Sequence, residues 1–246
     1  MYSEKIVVGA GTEYPLNGLM TLPPDLSKPV PAVVMVHGSG ASNMDEKVLK
    51  LTPFKDLAEG LARHGAASLR YDKRTFVHAR RMIRNKHLTV KEETIEDALL
   101  AVQMLKRDPR IDHDRVYILG HSMGAMLAPR IDAEAKKKKF AGNLSLYYFK
   151  EMGQKTAADY LLASNKPVLI LQGGKDFQVL AKRDYRKFKK LLADRENTQY
   201  KLYPELNHVF VKGIYNDILK ASKEYSVEQH IGEDVIGDIA AFIHSN

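Results

Sequence analysis

The run Arg115–Leu119 followed by Gly120-His121-Ser122-Met123-Gly124 constrains this chain more than any other segment. A short apolar, β-branched stretch breaks at once into a glycine-flanked serine, and a helical period then continues to about Ala135. In that setting G-x-S-x-G reads as a sharp strand-to-helix turn. Small flanking residues let the backbone pass, and the serine hydroxyl stands exposed at the head of a helix. The positive end of that helix favours developing negative charge. The competing reading is an ordinary helix-capping serine, against which the two flanking elements argue.

The same alternation of apolar runs with helical periods fills the rest of the chain, the pattern of an α/β protein with a mostly parallel sheet. Lys5–Val8 and Gly18–Leu22 read as an antiparallel hairpin at one edge, and Ala32–Val36 as a strand buried on both faces. Ala66–Tyr71, Pro167–Leu171 and Gln199–Tyr203 read as further strands. Helices are expected over Phe54–His64, from Thr89 to Leu105, over Leu180–Ala193, and at the C-terminus, where Ile231, Val235, Ile239 and Phe242 share a period. Thr89-Val90-Lys91-Glu92 fits a capping box at the start of the second of these. The stretch 136–164 is less regular: Phe140–Phe149 is a strand candidate and Lys150–Ala163 a helical one. With 246 residues and no repeat or linker, one domain over residues 1–246 is expected.

Composition removes several classes of function. Apolar residues make up 44% of the chain, enough for a sizeable core. There is no cysteine, which excludes a disulfide scaffold, a thiolate nucleophile and any Cys-ligated metal. No stretch reaches the ~18 apolar residues of a membrane span, and the N-terminus shows no charged-then-apolar leader pattern, so a cytoplasmic protein without membrane contact is expected. The net charge is +8, from 38 basic and 30 acidic residues. It sits in scattered runs (Arg80, Arg81 and Arg84; Lys136–Lys139; Lys182–Lys190) rather than in a nucleic-acid motif. Solvated faces, not a nucleic-acid footprint, are the expectation.

A serine nucleophile needs a base, and the base needs an orienting acid. Asp176 follows the Pro167–Leu171 run through Gln172-Gly173-Gly174-Lys175, and His208 follows Gln199–Tyr203 through Pro204-Glu205-Leu206-Asn207. That is the order Ser, Asp, His, each after its own strand. Asp184, on the following helix, is the competing acid. Two backbone N–H groups should hold the oxyanion: Met123, after the nucleophile, and Ser39, in the loop His37-Gly38-Ser39-Gly40. A plain strand-ending turn is the other reading of that loop. Arg74 either meets a substrate carboxylate or ties its loop to the scaffold. Tyr147, Tyr148 and Tyr160 either line a pocket or pack in the core or on a surface helix.

On these residues the chain resembles the α/β-hydrolase fold serine hydrolases. The likeness is carried by His37-Gly38-Ser39-Gly40, Tyr71-Asp72-Lys73-Arg74, Gly120-His121-Ser122-Met123-Gly124, Gly173-Gly174-Lys175-Asp176 and Asn207-His208, and covers nearly the whole chain. Within that superfamily it is most similar to bacterial esterases of the dienelactone-hydrolase and feruloyl (cinnamoyl) esterase type. The resemblance implies a mostly parallel eight-stranded sheet flanked by helices, and carboxylic ester hydrolysis through an acyl-enzyme without cofactor or metal. Such esterases often carry a lid of several dozen residues. Here only the stretch 136–164 is available, so the lid should be short or absent, and short acyl or compact aryl esters the expected substrates. A thioesterase or serine peptidase would use the same triad, and a non-catalytic binding protein of the same fold is the reading from another class. The expected partner is a small-molecule ester, and a homodimer is the assembly to test for.

Overall fold

The computed structural model describes residues 1–84, 88–135, 155–215 and 219–246. Its centre is β3 (Val30–Val36), buried from Pro31 onward. Alternate residues of a strand face opposite sides of the sheet, and here each side meets its own apolar layer. Ala32, Val34 and Val36 join one cluster, with Ala98, Leu99, Val102 and Leu105 of α4 (Glu96–Arg107) and Met123, Leu127 and Ile131 of α5 (Met123–Ala135). Val33 and Met35 join the other, with Phe54 and Leu61 of α1 (Pro53–Arg63) and Val235, Ile236 and Ile239 of α9 (Glu233–Ser245). At about 1.5–3 kcal/mol per buried Val, Leu, Ile or Phe, these two layers are the main favourable contribution to the fold.

Five strands form one sheet in the order β1-β2-β4-β3-β5, with β1 Tyr2–Val8, β2 Leu16–Leu22, β4 Ala67–Tyr71 and β5 Ile111–Gly120. The two pairings on the β1 side, β1–β2 and β2–β4, are antiparallel, and β4, β3 and β5 are parallel. Thus the expected edge hairpin is present and feeds a parallel centre. β6 (Val168–Gly173) and β7 (Thr198–Tyr203) pair in parallel as a second sheet. In place of one eight-stranded sheet, the described residues hold seven strands in two sheets. The strand expected at Phe140–Phe149 lies outside the described residues, as do the run Lys136–Lys139 and the first part of the helix expected from Lys150; its later part is α6 (Ala157–Leu162). Leu169, Leu171 and Tyr203 pack into the same layer as Val33 and Met35, so one core runs beneath both sheets.

Two helices begin differently from expectation. Before α4, Glu92 accepts the Thr89 N–H at 3.0 Å, half of the expected capping box. The Thr89 hydroxyl, however, accepts from Lys91, and the chain passes through a π-helical turn, Lys91–Ile95. The basic segment after β6 likewise opens with a π turn (Ala181–Tyr185) before α7 (Arg186–Leu191), which buries no residue. Its lysines are solvated. The remaining short helices are α2 (Arg74–Val77), α3 (Ala79–Arg84) and α8 (Ala221–Tyr225). Among the described residues no helix is long and apolar enough to cross a membrane.

Candidate active site

Ser122 occupies the single residue of turn that follows β5 and His121, and it has φ 51°. This left-handed conformation costs a non-glycine residue on the order of 1–2 kcal/mol, and the surroundings enforce it. The His121 N–H donates to the Val36 carbonyl at 3.0 Å and the Gly124 N–H to the His121 carbonyl at 2.8 Å. A Cβ on Gly120 would collide with the Gly124 backbone, and one on Gly124 with the carbonyl of Val36. Both flanking glycines are therefore required by close approach: the head of α5 lies directly on the end of β3. Met123 is the first residue of that helix.

The loop after β3 lies over this turn. A Cβ on Gly38 would stand 3.2 Å from Ser122 Cβ. Gly38 donates its N–H to Glu46 Oε1 at 2.6 Å, while the carbonyls of Gly38 and Gly40 both accept from Lys73 Nζ at 2.9 Å. Ser39 is exposed, and its N–H has no hydrogen-bond partner among the described residues.

Asp176 and His208 come together from the ends of β6 and β7, with His208 Nδ1 2.8 Å from Asp176 Oδ2. The Asp176 carboxylate also accepts from the Gln178 and Val179 N–H groups at 2.8 and 2.9 Å, which fix its direction. An Nδ1–H donated to a carboxylate leaves Nε2 as the basic nitrogen. Asn207 sets the loop: its Oδ1 accepts the Val209 N–H at 3.1 Å, and its amide donates to Glu224, which is fully buried. No hydrogen bond joins Ser122 Oγ to His208 among the described residues. Catalytic contacts of this kind commonly tighten only with substrate bound. The two are linked through His121, whose Nε2 donates to the His208 carbonyl at 2.9 Å and whose ring centre lies 4.7 Å from that of His208.

Behind the turn, His121 Nδ1 approaches Glu46 Oε1 to 3.0 Å. Burial pushes the Glu46 carboxyl up, but the His121 charge and the Gly38 N–H outweigh it and hold it below its ordinary range. Burial likewise lowers His121, and Glu46 more than compensates, so His121 titrates above its ordinary value. His37, fully buried between Phe54 and Tyr71, is pushed down to about 4 by burial.

Arg74 is engaged by other side chains. Its guanidinium holds Asp97 at 2.5 Å and Glu96 at 3.0 Å and stacks on Tyr14 at 4.6 Å. That is the loop-tying arrangement; with its donors committed to two carboxylates, Arg74 is not placed to meet a substrate carboxylate. Asp184 accepts the Leu180 N–H at 2.9 Å and pairs with Arg183, away from His208. Tyr160 lies on α6 beside Lys155. Tyr147 and Tyr148 lie outside the described residues. The carboxylate–imidazole group Asp112, His113 and Asp114 sits at the opposite end of β5 from Ser122.

Known proteins resemble this chain along nearly its whole length. The profile of the dienelactone hydrolase family matches residues 16–231. Esterase EstD of Thermotoga maritima is 34% identical over 93% of this chain, which spans 65% of the length of that relative. Among solved structures, the dienelactone hydrolase from Anabaena variabilis superposes with a TM-score of 0.65 at 19% identity, covering 99% of this chain and 97% of its own. Est1E from Butyrivibrio proteoclasticus gives 0.64 at 17% identity, with 98% and 99% covered, and has also been solved with ferulic acid bound. These structures share the α/β-hydrolase fold with this chain.

Proposed function

We propose that this chain, which belongs to the dienelactone hydrolase family, is a serine esterase that works through an acyl-enzyme. His208 Nε2 takes the Ser122 proton as Ser122 Oγ attacks the ester carbonyl. The N–H groups of Ser39 and Met123 hold the resulting oxyanion. The tetrahedral adduct collapses as His208 returns the proton to the leaving alcohol, and a water activated by His208 then releases the acid. Asp176 orients His208 and stabilises its cation. The observation that carries this reading is the Asp176–His208 hydrogen bond at 2.8 Å beside a serine held at φ 51°.

The proposed substrates are short acyl or compact aryl esters. A short roof would leave a long acyl chain exposed, and each methylene in water forgoes about 0.8 kcal/mol of burial. The ferulic acid bound to Est1E is a compact aryl acid of the kind we propose here. The test is a panel of p-nitrophenyl esters from C2 to C12, hydroxycinnamoyl esters and acyl thioesters, assayed on wild type and Ser122→Ala. Turnover should be highest on C2–C4 and aryl esters and lost in Ser122→Ala. A steady rise in kcat/KM through C8 to C12 would overturn the substrate assignment, and full activity in Ser122→Ala the mechanism.

A further inference from the structure

Lys73 stands two residues beyond the end of β4 and is 2% exposed. Its ammonium has three N–H groups and three acceptors: the Gly38 carbonyl at 2.9 Å, the Gly40 carbonyl at 2.9 Å and Glu93 Oε1 at 2.6 Å. Glu93, on the π turn before α4, is itself 6% exposed. A buried ion pair of this kind is a weak source of stability, because apolar residues of the same volume commonly do as well. Its placement points to another use.

The Gly38 carbonyl and the Ser39 N–H belong to one planar trans peptide, so they point in opposite directions. Lys73 holds the carbonyl on the buried side. The N–H is thereby turned to the other side of the peptide, in a loop that comes close enough to the nucleophile turn for a Gly38 Cβ to stand 3.2 Å from Ser122 Cβ. Glycine at position 38 leaves this peptide free to rotate, since both signs of φ are open to it. The Glu46 bond to the Gly38 N–H fixes the preceding peptide, and the Lys73 N–H, bonded to the Ser42 carbonyl at 3.0 Å, laces the far side of the loop to β4. A cation on the carbonyl also polarises the amide and strengthens its N–H as a donor.

We propose that Lys73, anchored by Glu93, is a positioning residue that locks the Gly38–Ser39 peptide with its N–H directed at the oxyanion. The inference rests on the acyl-enzyme reading above. Lys73 touches neither substrate nor reacting atoms; it acts through the peptide. Loss of one oxyanion donor typically lowers kcat by ~10²–10³, and loss of the lock should approach that.

The test is the double variant Lys73→Met/Glu93→Leu, which removes both charges and leaves neither unpaired. On p-nitrophenyl acetate its kcat should fall ~10²–10³-fold with KM within about threefold. Affinity for a trifluoromethyl ketone, whose adduct carries the oxyanion, should fall in parallel, which a merely structural loss would not produce. If that variant does not fold, Lys73→Gln/Glu93→Gln fills the same space with uncharged polar groups, and both readouts should again fall at least tenfold. Wild-type kcat and ketone affinity in a folded variant would overturn the inference alone. Wild-type protein that hydrolyses the ester without acylation at Ser122 would overturn the acyl-enzyme reading and the inference with it.

Discussion

His121 Nε2 donates to the main-chain carbonyl of His208 at 2.9 Å, so the residue before the proposed nucleophile grips the loop that carries the proposed base. Its other nitrogen, Nδ1, lies 3.0 Å from Glu46 Oε1, and the Glu46 carboxylate favours the charged form of the ring. His121, raised from 6.5, contributes stability that is complete below that value and lost as pH rises through its folded value. Glu46, lowered from 4.5, contributes stability present above that value and lost as pH falls through its folded value. The pair is therefore strongest between pH 4.5 and 6.5. Glu46→Gln should cost about 3 kcal/mol in urea unfolding at pH 5.5, and the gap from wild type should narrow by pH 9. A gap that is constant or wider at pH 9 would contradict the pairing.

Asp176→Asn should leave the fold intact and lower kcat by about 10³–10⁴ with little change in KM, because the amide orients the wrong tautomer of His208. Steady-state kinetics decide it; a loss smaller than tenfold would remove Asp176 from the role.

Two glycines separate close approach from mere permissiveness. A Cβ on Gly124 would collide with the carbonyl of Val36 and stand 2.7 Å from that of His37. Gly124→Ala should thus cost at least about 2 kcal/mol, or prevent folding. Gly237, inside α9, has nothing within 4 Å of its Cβ position. Gly237→Ala should stabilise by roughly 0.5–1 kcal/mol. Thermal unfolding of the pair reads out both signs.

Buried His37 opposes folding in acid. Its folded value near 4 lies below its ordinary 6.5, so between those limits the unfolded chain binds a proton that the native state does not. Native stability should fall by about 1.4 kcal/mol per pH unit over that window on this account. His37→Gln should remove that slope. The check is the pH dependence of the difference in unfolding free energy between wild type and variant; a flat difference from pH 7 to 4.5 would show that His37 is not buried in its neutral form.

Much of this was legible because strands that end at a site announce it. The apolar runs at β3, β5, β6 and β7 each stop in a glycine-rich or polar turn, and Ser39, Ser122, Asp176 and His208 stand in those turns. What was not legible is what supports them. Glu46, Lys73, Glu93 and Glu224 are charged residues buried by partners that are distant in sequence. Hydropathy patterns place such side chains on solvated faces, and only the folded chain shows Lys73 beneath the Gly38 carbonyl. The π turns before α4 and α7 left no signal for the same reason: their periodicity is nearly that of an α-helix over five residues. Arg74 was legible as either a ligand or a tie, and Asp97 and Glu96, close together on α4, decide for the tie.

The central claim is covalent, and it can be weighed. Wild-type protein quenched in acid during turnover of a p-nitrophenyl ester should gain the mass of one acyl group over its own untreated form, Ser122→Ala treated alike should gain none, and peptide mapping should place that group on Ser122. An ester hydrolysed at full rate with no acyl group on Ser122, or with one on another side chain, would contradict the account.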